Sequence, residues 1–209
     1  MIPPKVDFFH APQSRSRGTL ALFEELGVDY ELHLLDLKAG TQRSPEYLAL
    51  NPLGKVPAIR HAGAVVTEQA AVMMYLADLY PECGLAPAID DPLRGPYLRW
   101  MVFYGSCYEP ALIDRSLQRE PAAHMTSPYG NWQEVLDTLV AQLTPGPWLL
   151  GERFTAADVL WGMALRWTTM FKLVPELPPI RAYVERVFER PAMQQAEAKD
   201  ADLLARQTS

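Results

Sequence analysis

Two short stretches carry residue types whose spacing suits recognition of a peptide: NPLGKVPAI at Asn51–Ile59 and TEQ at Thr67–Gln69. A proline at the head of an apolar strand removes a ladder donor, which a sheet tolerates only at an edge or a bend. Such a bend leaves the N–H and C=O of Val56 unpaired, open to an extended peptide that adds itself as a further strand. A cis Val56–Pro57 bond would present both groups, since the cis form costs only about 0.5–1 kcal/mol at an X–Pro bond. The Glu68–Gln69 pair stands where the next strand must turn into a helix. A helix start offers orphan N–H groups and a positive partial charge, which together hold a carboxylate. Glu68 itself can meet an ammonium. The implied ligand is extended, with an amino group and a carboxylate at one end.

The elements that must position these residues follow from periodicity. Val6–Phe9 reads as a short buried strand. Thr19, Leu22, Phe23 and Leu26 recur at helical spacing and stop at Gly27. Tyr30–Leu35 is a second strand. Ser44 caps a short helix with Pro45 at its first position. Val56–Ile59 and Ala64–Thr67 are two strands joined through Gly63. Val72, Tyr75, Leu76 and Leu79 form an apolar stripe on the helix after Glu68. The order β-α-β-α-β-β-α describes a small sheet with helices packed on it.

Beyond a Pro/Gly/Asp-rich break at Tyr80–Pro92, strand signals almost vanish. Leu93, Tyr97, Trp100, Met101, Tyr104 and Tyr108 predict one face of a long helix, and Trp132–Leu143 a second. Thr155 and Asp158 stand at capping-box spacing before a third, and LPPIRAYVERVFERP predicts a fourth, closed by Pro191. The polar tail from Gln194 is expected to fray. The domains expected are therefore 1–81, a linker over 82–92, and an all-helical domain over 93–209.

Composition narrows the function classes. Hydrophobic residues make up 49% of the 209, enough for a packed core. Net charge is −6, and the 19 basic residues form no stripe, which argues against nucleic acid as partner. No apolar run approaches the roughly 20 residues of a bilayer span, so no membrane association is expected. The start shows no secretory signal. The two cysteines, Cys83 and Cys107, make neither a disulfide framework nor a metal motif, and a reducing cytoplasm is expected. The four histidines share no metal-like spacing.

The segments SRSRGTLALFEELGVDYELHLLDL, PEYLALNPLGKVPAI and TEQAAVMMYLADLYP resemble the thioredoxin-like domain of a cytosolic glutathione transferase. The helical remainder, with FTAADV, resembles that family's all-α C-terminal domain. The resemblance implies glutathione as co-substrate and no metal. Val56 would pair with the cysteinyl backbone ahead of cis Pro57, and Glu68 and Gln69 would hold the γ-glutamyl end. Gln69 departs from the family's usual Ser. Lys55 and Gln42 are candidates for the glycyl end. In the serine-type theta and zeta classes the active Ser stands just before the first helix, which points to Ser14, with Ser16 in reserve; Arg15 or Arg17 would add positive potential.

Tyr104, Cys107 and Tyr108 would line the site of a small hydrophobic electrophile. A homodimer is implied, with the helices after Glu68 and Leu93 at its interface. The activity expected is conjugation by a stabilised thiolate. A glutathione-dependent isomerase or dehalogenase, and a non-catalytic glutathione binder, are the alternatives.

Overall fold

The computed structural model describes residues 5–120 and 122–208, which group into two compact units. One contains the chain up to Cys83 together with Glu189–Ser209; the other runs from Gly84 to Phe188.

In the first unit the order is β1 (Val6–His10), α1 (Ser16–Leu26), β2 (Tyr30–Leu34), α2 (Pro45–Leu50), β3 (Ala58–His61), β4 (Ala64–Thr67) and α3 (Gln69–Leu79). The sheet runs β2-β1-β3-β4, with β1 and β2 parallel and the other pairs antiparallel. Period-two alternation buries Val6, Phe8 and His10 on one face of β1. Phe8 meets Phe23 of α1 at 5.1 Å between ring centroids, and Val72, Met73 and Leu76 bury the inner face of α3.

The local signals operate as their chemistry demands. Gly27 closes α1 at φ +65, the left-handed conformation an L side chain resists. Ser44 caps α2 by accepting the Tyr47 N–H, with Pro45 at the first position.

The tail does not fray. Pro191–Thr208 forms an 18-residue helix, α9, that packs on α1 within the first unit. Met193, Ala196 and Asp200 recur at helical spacing and are buried. Polar pairs rim this contact: Arg190 grips Glu25 through two 2.7 Å bonds, Lys199 donates to Glu24 at 2.6 Å, and Arg17 lies 3.9 Å from Glu197. A polar composition conceals a stripe of three buried positions, two apolar and one acidic, that faces the apolar side of α1. By its packing, residues 189–209 thus separate from the expected helical domain.

The second unit is all helical: α4 (Arg94–Phe103), α5 (Glu109–Ser116), α6 (Trp132–Leu143), α7 (Ala156–Met170) and α8 (Pro178–Phe188). The expected long helix is α4 and α5 joined without a break through a wide π turn at Tyr104–Tyr108. Its core centres on Trp161, whose ring meets Trp100 at 5.7 Å and Tyr108 at 4.9 Å. Gly162 lets α8 approach α7: a Cβ there would stand 2.5 Å from Val187 Cγ1. At the head of α7 the Asp158 carboxylate, almost wholly buried, accepts from the N–H groups of Leu149 and Thr155 and from the hydroxyls of Thr155 and Tyr183. Burial nevertheless outweighs these donors and pushes its pKa up to about 6. No helix among the described residues is long and apolar enough to cross a membrane.

Candidate active site

Register brings the separate stretches to one end of the sheet. Phe9 pairs with Ala58, and Ala58 with Thr67. Carried one step further, these ladders set His10, Pro57 and Glu68 side by side. The loop after β1, the approach to β3 and the start of α3 therefore meet at this end.

The Val56–Pro57 bond is cis. No ladder pair among the described residues includes Val56, because β3 begins at Ala58, two residues later than the sequence pattern suggested. The preceding segment is held firmly. The Lys55 carbonyl accepts from the Tyr47 hydroxyl at 2.6 Å and from Asn51 Nδ2 at 2.9 Å, and both donors are buried. Gly54, at φ +59, passes so close to the Gln42 carbonyl that a Cβ would stand 2.7 Å from it. Gln42 thus borders this segment, with its own amide donating to the Leu37 carbonyl at 3.4 Å, while the Lys55 side chain is exposed.

Glu68 caps α3 at φ +69, ψ 118, a backbone conformation that is costly for any residue but glycine. Its side chain is exposed and makes no capping bond. A non-glycine held at positive φ between a strand and a helix marks a position whose geometry serves something other than stability. Gln69 has one amide hydrogen committed: Nε2 donates to the Arg15 carbonyl at 3.0 Å, tying the start of α3 to the start of α1. Its Oε1 is buried without a hydrogen-bond partner among the described residues.

The two serines differ sharply. Ser16, the first residue of α1, is fully buried, and its hydroxyl is enclosed by His10 Nδ1 at 2.7 Å, Ser14 Oγ at 2.7 Å and the Ala11 N–H at 3.1 Å. Ser14 keeps exposed surface, and its hydroxyl donates to the Ala11 carbonyl at 2.7 Å or to Ser16. Of the two hydroxyls only that of Ser14 belongs to a residue with exposed surface, and the reserve role expected of Ser16 does not fit its burial. Arg15 is exposed at the N-cap of α1, whereas Arg17 is drawn toward Glu197 of α9.

The remaining candidates belong to the second unit. Cys107 is half-buried, with Sγ 3.5 Å from the Ser106 hydroxyl. Tyr104 is buried, and its hydroxyl donates to Glu109 at 2.7 Å. Tyr108 is no wall of a pocket: it has no exposed surface, its hydroxyl pairs with Thr168 Oγ1 at 2.9 Å, and its ring stacks on Tyr104 and packs against Trp132 and the Trp161 ring edge-on. Burial raises its pKa well above the ordinary tyrosine value.

Sequence reasoning passed over His10, Asp200, Tyr47 and Asn51. The signal for His10 was present, since period two from Val6 puts this polar ring on the core face, where it requires a partner. Asp200, which lies against it, is 190 positions away, and no local rule pairs them.

Three comparisons bear on this geometry. A family description for glutathione S-transferase N-terminal domains matches residues 4–78, and one for glutathione S-transferase C-terminal domains matches residues 129–186. Glutathione S-transferase GstA of Escherichia coli O157:H7 is 29% identical over 90% of this chain and 95% of its own. The disulfide-bond oxidoreductase YfcG of Escherichia coli K12 is 29% identical over 93% and 95%. A glutathione transferase structure from Methylococcus capsulatus superposes with a TM-score of 0.78 at 31% identity, over 94% of this chain and 98% of that one. Matching domains at both ends and a thioredoxin-like sheet with a helical second unit lead to one conclusion: the chain belongs to the glutathione S-transferase family.

Proposed function

We propose that this transferase binds glutathione as an added strand along Val56 and activates its thiol at Ser14 for attack on a small hydrophobic electrophile. One observation carries the reading: unpaired Val56, strained Glu68 and half-exposed Ser14 gather at one end of one sheet. Glu68 meets the γ-glutamyl ammonium, with Gln69 beside it, and Lys55 and Gln42 serve the glycyl carboxylate. Lowering a thiol pKa by about two units requires about 2.7 kcal/mol of differential stabilisation. A hydroxyl bond to an anion supplies about 1.5–3 kcal/mol, and the N-terminus of α1 adds about 0.3–1 kcal/mol. One serine therefore suffices. The enzyme is read as cytoplasmic and homodimeric, pairing through α3 and α4.

The similarity to a disulfide-bond oxidoreductase favours a second reading, in which the same thiolate attacks a disulfide instead of a carbon centre. The test is a paired assay with a generic aryl halide and a small disulfide, on wild type and Ser14→Ala. Turnover of the halide that falls about 10- to 100-fold in the variant supports conjugation at Ser14. Turnover of the disulfide alone supports exchange. Glutathione binding with neither activity leaves the protein a binder.

A further inference from the structure

Behind Ser14 runs a line of buried polar groups that thiolate stabilisation by one hydroxyl does not require. Ser14 Oγ lies 2.7 Å from Ser16 Oγ, Ser16 Oγ lies 2.7 Å from His10 Nδ1, and His10 Nε2 lies 3.2 Å from Asp200 Oδ1. His10 and Ser16 have no exposed surface, and Asp200 has 2%. The Nε2 and Oδ1 atoms face each other without the alignment of a hydrogen bond, and neither has a hydrogen-bond partner among the described residues. Asp200 Oδ2 accepts the Gln13 N–H at 3.1 Å, so α9 also holds the loop carrying Ser14, including Gln13 at φ +55.

Donor counting gives the line a direction. A carboxylate only accepts. Asp200 therefore favours the imidazole proton on Nε2, a tautomer assigned from its partners, and Nδ1 is left as an acceptor. Ser16 then donates to Nδ1 at 2.7 Å in preference to the Ala11 carbonyl at 3.1 Å, and its oxygen accepts the Ala11 N–H and, when Ser14 turns its hydroxyl from the Ala11 carbonyl, the Ser14 O–H. Ser14 Oγ accepts the Ser16 N–H at 3.2 Å and keeps a lone pair for a further donor.

We propose that Ser14, Ser16 and His10 form a proton relay that carries the glutathione thiol proton to a buried His10–Asp200 pair. This rests on the glutathione reading above. The S–H bond breaks and its electron pair stays on sulfur. The proton passes to Ser14 Oγ, the Ser14 proton to Ser16 Oγ, and the Ser16 proton to His10 Nδ1. One S–H bond is lost and one N–H bond is gained, so thiol plus imidazole become thiolate plus imidazolium. The transfer reverses every hydroxyl. His10 now donates to Ser16, Ser16 to Ser14, and Ser14 to the thiolate. The new positive charge sits against the Asp200 carboxylate, where an ion pair compensates the poor alignment of the neutral contact.

Few charged groups compete for His10. Asp200 faces it from α9, Ser16 from α1 and the Phe8 ring from β1, while Leu35, just past β2, donates its N–H to the His10 carbonyl. The nearby charges of the α1–α9 contact, Arg17–Glu197, Lys199–Glu24 and Arg190–Glu25, are closed on their own partners. His10 and Asp200 are thus positioning residues that act through the serines.

The experiment measures glutathione affinity by calorimetry and titrates the bound thiol by its ultraviolet thiolate absorbance, in wild type, Asp200→Asn and His10→Gln. The relay predicts affinity close to wild type in both variants, with the thiolate midpoint raised by about one pH unit or more, tenfold less thiolate at a given pH. If His10→Gln fails to fold, the near-isosteric Asp200→Asn carries the test. An unchanged midpoint with glutathione bound overturns the relay, and so does a loss of affinity without a midpoint shift, the mark of a structural role. Wild type that binds no glutathione overturns the parent reading instead.

Discussion

Gly54→Ala probes how the peptide-binding edge is built. The residue stands at φ +59, and an added Cβ would lie 2.7 Å from the Gln42 carbonyl oxygen, backbone that cannot rotate aside. The left-handed conformation costs a residue with a Cβ about 1–2 kcal/mol. Relieving the clash moves the 51–56 segment by several tenths of an ångström, which overpacking data value at about 1–3 kcal/mol. Gly40 is the control: it has φ +78 but nothing within 4 Å of its Cβ position, so Gly40→Ala carries only the conformational part. For a chain of 209 residues each kcal/mol lowers the unfolding midpoint by roughly 2–4 °C. Thermal unfolding should therefore show a drop of roughly 5–15 °C for Gly54→Ala and no more than half that for Gly40→Ala. Because Lys55 and Val56 follow directly, Gly54→Ala should also weaken glutathione binding, while Gly40→Ala should not. Equal midpoints, or a normal affinity in Gly54→Ala, would refute the argument that this close approach sets the edge.

Asp158 gives a pH prediction. Its pKa rises from 3.8 to about 6 in the folded state, so the fold holds its proton more tightly than the unfolded chain does. That contribution is full below about pH 4 and is lost as pH rises through about 6. Unfolding midpoints should therefore decline between those values more in wild type than in Asp158→Asn, and parallel profiles would contradict the assignment. Tyr108→Phe removes the bond to Thr168 and should lower stability by about 1 kcal/mol while leaving electrophile KM unchanged; a changed KM at full stability would restore Tyr108 to the electrophile site.

The elements that local rules govern were legible. The Gly27 stop, the Ser44–Pro45 start and the Trp132–Leu143 helix each follow from caps and periodicity read within a few residues. The end of the sheet was legible as a pair of motifs, but their convergence depends on register, which long-range pairing decides. What was lost needed contacts across the chain. Residues 191–208 read as polar because three buried positions in eighteen do not register as a stripe until α1 supplies the other side. His10 read only as one of four histidines without metal-like spacing, because Asp200, the group that gives it meaning, lies on that same helix. Tyr108 shared a helical face with Tyr104, yet the π turn and Trp161 enclose it completely.

The account depends most directly on an acidic side chain at Glu68 gripping a free amine beside the Val56 edge. Glu68→Gln keeps the shape and the strained backbone but removes the charge. Calorimetric titration with glutathione should give saturable heat in wild type and an affinity about 10- to 100-fold weaker in Glu68→Gln, the loss of one charge-assisted bond. No heat in wild type, or the same affinity in both proteins, would contradict it.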